Sequence, residues 1–204
     1  MGGLSKEQQD KLALLEQGLA AKVNADPDVV KAPMFFGDVL KQFREILTTD
    51  QQGKFDKMMA EQAVRAVAMK TANNLRQIGL VSLMYANGHA NLLPPDLGTL
   101  VSPTLGPEIF LAADSKTQVP ADLAAQDVKK QAAWVNANTD FVYLGAGKDS
   151  SKLAGTFVVA YQKSGDSQSF LLSDGTVRTS NAEQAAKIIT ELQAGTNPPP
   201  SLPQ

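Results

Sequence analysis

Apolar and polar residues follow two different periods along this chain, and the change of period divides it. From Thr49 to about Asn87, apolar and small positions return every third or fourth residue: Phe55, Met58, Met59, Val64, Val67, Ala68, Thr71, Ala72, Leu75, Ile78 and Leu83. That spacing draws one stripe along an α-helix. No proline interrupts it, and only Gly53 and Gly79 weaken it. A helix of more than thirty residues at 1.5 Å per residue would span about 50 Å. Its first half is expected to pack on the helices before it, and its second half under a head. Asn87-Gly88 is an αL-prone pair that ends it. Leu93-Pro94-Pro95-Asp96 then forbids helix and predicts an extended turn.

Beyond residue 140 the pattern turns to strands. Phe141-Val142-Tyr143-Leu144 precedes the turn Gly145-Ala146-Gly147, and Thr156 to Gln162 is β-branched and aromatic. Ser169 to Leu172 faces Thr176 to Arg178 across Ser173-Asp174-Gly175, and Asp-Gly between such runs signals a hairpin. Residues 101–140, polar and broken by prolines, read as loops with a short helix from Ala121 to Ala133. Ser180-x-x-Glu183 predicts a capping box for a last helix reaching about Gln193, with Ile188, Ile189 and Leu192 inward. Gly195 ends it, and Asn197-Pro198-Pro199-Pro200 opens a disordered or polyproline tail. The fold class expected is α+β: a helical N-terminal region and a long helix packed on a small antiparallel sheet.

The first sixty residues contain a repeat. Leu4-Ser5-Lys6-Glu7-Gln8-Gln9 matches Leu47-Thr48-Thr49-Asp50-Gln51-Gln52. Ser5 and Thr48 are placed to cap a helix, Gln8 and Gln51 to reach back and close a capping box, and Glu7 and Asp50 to meet the helix dipole. Between the copies, Asp26 with Pro27 predicts a second start. An apolar face of Phe35, Phe36, Val39, Leu40, Phe43 and Ile46 follows, interrupted by Pro33 and Gly37. Phe35, Phe36, Met58 and Met59 are the candidate partner-binding residues, with core packing as the other reading of the same spacing. Three segments result: a helical region over 1–70, an α+β domain over 71–194 and the tail over 195–204.

Composition narrows the function. The 204 residues are 43% hydrophobic and 20% charged, with a formal charge of −2. That is ordinary globular usage with no basic field for nucleic acid. There is no cysteine, so disulfides and thiolate sites are excluded. No apolar run approaches the ~20 residues of a membrane span. Met1-Gly2-Gly3 leads into a polar helix without a signal pattern, so either the protein is cytoplasmic or its export segment is absent here; the resemblances that follow favour the second, a protein of the periplasm or cell envelope.

Two resemblances follow from these residues. The ordered run Asn73-Asn74-Leu75-Arg76-Gln77-Ile78-Gly79-Leu80, Pro94-Pro95, Trp134, Asp140 to Gly147, Val158 to Tyr161 and Phe170 to Val177 resembles the pseudopilin-like proteins of type II secretion. It covers about residues 70–192. It implies a non-enzymatic envelope protein that acts through contacts with secretion components. The family's apolar N-terminal helix is replaced here by the polar repeat. The repeat itself, over residues 4–65, is similar to the Leu-Thr-x-x-Gln signature of Spy/CpxP-like periplasmic proteins. That implies a chaperone or stress-sensing module for client proteins, in which a homodimer would hold the helices together.

Catalytic chemistry is thinly represented. His89 is the only histidine, which rules out a zinc site without thiolates. A Ser-His-acid triad would depend wholly on it, with no Gly-x-Ser-x-Gly elbow beside it. A hydrolase would need a polar pocket joining His89 to the Asp-rich strand ends at Asp140, Asp149, Asp166 and Asp174. Some pseudopilin heads hold calcium in a loop, and that resemblance makes Asp140 and Asp174 candidate calcium ligands. Asp174-Gly175 reads equally as a turn.

Overall fold

In the computed structural model, which describes residues 4–32 and 34–203, the chain forms two compact units, residues 1–62 and 63–204. The boundary falls eight residues earlier than the 70/71 division expected. The long helix runs through it. Met1 to Gly3, Pro33 and Gln204 lie outside the described residues, and so does the expectation that Pro33 interrupts the apolar face.

The first unit holds α1 (Lys6–Ala25), α2 (Phe35–Ile46) and the start of α3 (Thr49–Gly88). Both capping boxes form. Ser5 Oγ accepts from Gln8 N–H at 3.2 Å, and Gln8 Oε1 accepts from Ser5 N–H at 3.0 Å. At the second copy, Thr48 Oγ1 accepts from Gln51 N–H at 3.4 Å and Gln51 Oε1 accepts from Thr48 N–H at 2.9 Å. The repeats also meet: Gln8 Nε2 donates to Gln51 Oε1 at 2.6 Å and to Ile46 O at 3.0 Å. Gln52 Nε2 donates to the Leu47 carbonyl and to that of Arg44, which also accepts from Leu47 N–H at the end of α2. Phe43 meets Phe55 with ring centroids 5.5 Å apart. Arg44 grips Asp56 with two bonds, at 2.7 and 2.8 Å. Asp26 caps only a 3-10 turn, Pro27–Lys31, so the helix expected there begins at Phe35.

The second unit is three layers. β1 (Phe141–Tyr143), β2 (Val158–Gln162), β3 (Ser167–Leu172) and β4 (Val177–Asn181) form an antiparallel meander in that order. α3 covers one face, and α5 (Ala182–Gln193) the other. Alternation along β3 sends Leu171 into the cluster with Leu75 and Ile78 of α3, and Phe170 and Leu172 into the cluster with Ile188 of α5. Val159 and Ala160 are consecutive yet share the α3 side, because β2 carries a bulge between Val158 and Ala160. Gly175, at φ 84°, turns the predicted hairpin between β3 and β4.

Several expectations are corrected. Only the part of the expected α3 stripe from Thr71 onward is buried, and before it Met58 and Val64 are exposed. Residues 101–140 are not peripheral loops: Val101 and Leu105 from a turn, Phe110 from a 3-10 helix and Val135 from α4 (Val128–Asn138) fill the core. α4 begins seven residues later than predicted, where Asp127 accepts from Lys130 N–H. The left-handed residues after α3 are Ala90 and Asn91, not the Asn87-Gly88 pair. Asn181, not Ser180, caps α5, accepting from Gln184 N–H at 2.9 Å, because Ser180 is still a buried residue of β4.

The Pro-rich tail over 195–204 is not disordered across its described residues. The Asn197 side chain accepts from Val158 N–H and donates to Val158 O, at 2.8 and 2.9 Å. Ser201 bonds to both Glu191 oxygens, and Leu202 is buried in the α5 cluster. No described helix is long and apolar enough to cross a membrane.

Candidate functional site

His89 follows α3 and is exposed. Its ring stacks on Tyr85 with centroids 3.7 Å apart, and Nδ1–H donates to the Tyr85 carbonyl at 2.7 Å. The imidazole is thus held as a helix-end partner.

The four aspartates are not gathered around it. Asp140 Oδ2 accepts from Ala112 N–H at 2.9 Å, tying the loop before α4 to the start of β1. Asp174 Oδ1 accepts from Thr176 N–H and Oγ1, the bonds of a turn-forming side chain. Asp140 pairs its backbone beside Lys163, where β2 ends, whereas Asp174 follows the far end of β3. The meander therefore puts the two calcium candidates at opposite ends of the sheet. Among the described residues, no three His, Cys, Asp or Glu side chains cluster to hold a metal. Asp149 is held down at about 2 by Lys152 Nζ, then by the Ser151 hydroxyl and N–H, which outweigh the opposing effect of desolvation. Asp166 is exposed in the β2–β3 turn.

A cleft of about 430 Å³ that sequence reasoning missed lies between the Pro94-Pro95 turn and β1, with Asp96, Asn136, Tyr143 and Lys163 among apolar residues such as Leu97 and Phe141 on its walls. Each of the four polar side chains is already engaged. Tyr143 donates to Pro94 O at 3.0 Å, and Lys163 Nζ to Thr139 O at 2.5 Å. Burial, reinforced by the Asp96 charge, pushes the Tyr143 hydroxyl well above its ordinary value. Burial also opposes Asp96 ionisation, but bonds from Thr99, Asn136 and Gly98 together hold its carboxyl below the usual range. A neutral phenol and a bonded carboxylate suit recognition of polar groups. They do not form a nucleophile–base pair. The signal available in the sequence was Asp96, next to the double proline that makes the turn.

The partner-binding candidates divide. Phe36 is 64% and Met58 49% exposed, while Phe35 and Met59 are half-buried. Phe35 meets Phe36 edge-on at 5.6 Å. Phe35 also lines an apolar cleft of about 160 Å³ with Leu19, Val29, Met34 and Val39; Met58 and Met59 do not reach it. In the first unit no apolar side chain among the described residues is fully buried. The one buried residue is Gln8.

Comparison of the chain with protein-family models, with curated proteins and with solved structures returns no match.

Proposed function

We propose that this is a non-enzymatic protein of the bacterial envelope, related to type II secretion pseudopilins, which acts by binding other proteins. The first unit carries the reading. A helical unit that buries a glutamine and leaves every described apolar side chain partly wet has surface to cover rather than a core to defend. Phe36, beside the cleft that Phe35 lines, is the contact expected to matter most. The order of elements in the second unit, a long helix leading onto a small antiparallel meander, supports the relation to pseudopilins.

Light scattering on the chain mixed with a purified pseudopilin head tests it. A complex at the summed mass that Phe36→Asp abolishes is the expected result; two separate masses at every concentration would sink it.

The cleft beside Phe36 also favours a second reading, a periplasmic chaperone-like module holding unfolded clients. Here the chain should suppress aggregation of a chemically unfolded protein, and Phe36→Asp should remove most of that effect. Equal suppression by the variant would count against it. Calcium remains part of the proposal only through Asp140 or Asp174 taken singly, with loop carbonyls as further ligands. Titration calorimetry with calcium checks that.

A further inference from the structure

Strand β4 is an edge of the sheet and pairs with β3 alone. Leu172 N–H donates to Thr176 O at the mouth of the hairpin, at 2.8 Å. The alternation of an antiparallel pair then turns the main chain of Thr176, Arg178 and Ser180 toward β3, and that of Val177 and Thr179 outward. Neither outward residue finds another backbone partner among the described residues. Sheet edges are commonly blunted by a proline, a bulge, a lysine or a cover. β4 has neither proline nor lysine, its one charged side chain, Arg178, is held by Pro203 O, its register runs unbroken from Asn181 to Val177, and Thr179 is exposed.

Beside this edge runs one face of α3. Arg65, Met69, Asn73, Arg76 and Leu80 recur at three- and four-residue steps. Met69 is 67% and Leu80 61% exposed. The first four line a groove of about 410 Å³ with Ser167 and Thr179. Arg76 donates to Asn73 Oδ1 at 2.7 Å, and neither Arg65 nor Arg76 is in an ion pair among the described residues. The open main chain of Thr179, the exposed Met69 and two cations outside any described ion pair therefore border one groove.

We propose that this groove docks an extended acidic segment of a partner protein. The segment adds a strand to Val177 and Thr179, seats an apolar side chain on Met69, and sets carboxylates beside Arg65 and Arg76. A second copy of the chain suits it less well. Pairing β4 with its own copy would bring like-charged arginines together. The inference stands apart from the Phe36 surface, so failure of one leaves the other untouched.

The test uses the whole chain and two synthetic peptides, valine alternating with glutamate or with lysine, each at about 1 mM, the affinity range of one short strand contact. Amide NMR should show shifts and slowed exchange at Val177 and Thr179 with the glutamate peptide only. Arg65→Glu with Arg76→Glu should weaken binding about tenfold. Thr179→Pro should abolish it, since an outward N–H is lost while the β3 ladder stays intact. The arginine variants alter no backbone bond and keep the test decisive if the proline variant unfolds. Silent β4 amides, an equal response to the lysine peptide, or unchanged affinity in the double arginine variant would overturn the proposal. So would shifts at the same amides on concentrating the chain without peptide, which would assign the groove to a second copy.

Discussion

Two glycines of one helix show how differently a single residue type is used. Gly53 has nothing within 4 Å of where a Cβ would stand, so Gly53→Ala should stabilise by about 0.5–1 kcal/mol through helix propensity alone. At Gly79 the same atom would lie 2.6 Å from Leu171 Cδ1, a fully buried side chain. Gly79→Ala should destabilise by about 1–3 kcal/mol despite its better propensity. Thermal unfolding of both variants gives the two signs. The sequence marks both glycines as helix weakeners; only the sheet behind Gly79 tells them apart. Tyr143 offers a second check. Its hydroxyl pKa is raised in the fold, chiefly by burial. The stability it contributes is complete below the ordinary tyrosine value of about 10 and is lost as pH climbs above it. Tyr143→Phe gives up the bond to Pro94 O, about 1 kcal/mol near neutrality. It should then lose less than wild type between pH 9 and 11, as melting temperatures across that range would reveal.

At the level of elements, local signals were legible and long-range ones were not. The Leu-[Ser/Thr]-x-acid-Gln repeat announces both helix starts, and both capping boxes form. Nothing in either copy says that Gln8 and Gln51 would bond to each other across 43 residues of chain. Gln8→Ala and Gln51→Ala should therefore be non-additive, with a coupling of about 0.5–3 kcal/mol in a double-mutant cycle. The four strands follow from their β-branched and aromatic runs, and the Asp-Gly turn from its own chemistry. The tail was misread because prolines describe what a segment cannot do, not what it packs on. Asn197→Ala strips both main-chain groups of buried Val158 of their partner, and should cost about 1–3 kcal/mol. Leu202→Ala should cost about 2 kcal/mol by emptying part of the α5 cluster. Urea unfolding measures both, and a truly disordered tail would leave each near zero.

Across the molecule, burial is divided unevenly. Every buried apolar side chain among the described residues belongs to residues 63–204. That fragment should unfold cooperatively by calorimetry, whereas residues 1–62 alone should show helical circular dichroism that melts without a sharp transition. The cleft around Asp96 and the groove beside β4 were hidden in the sequence, because each joins segments far apart in the chain. The tail carries one more consequence, for biosynthesis. Val158 and the α5 side of the sheet are not closed until residues 197–202 have left the ribosome. A nascent chain stalled before them would leave the main chain of Val158 without its Asn197 partner and the place of Leu202 in the α5 cluster open to water.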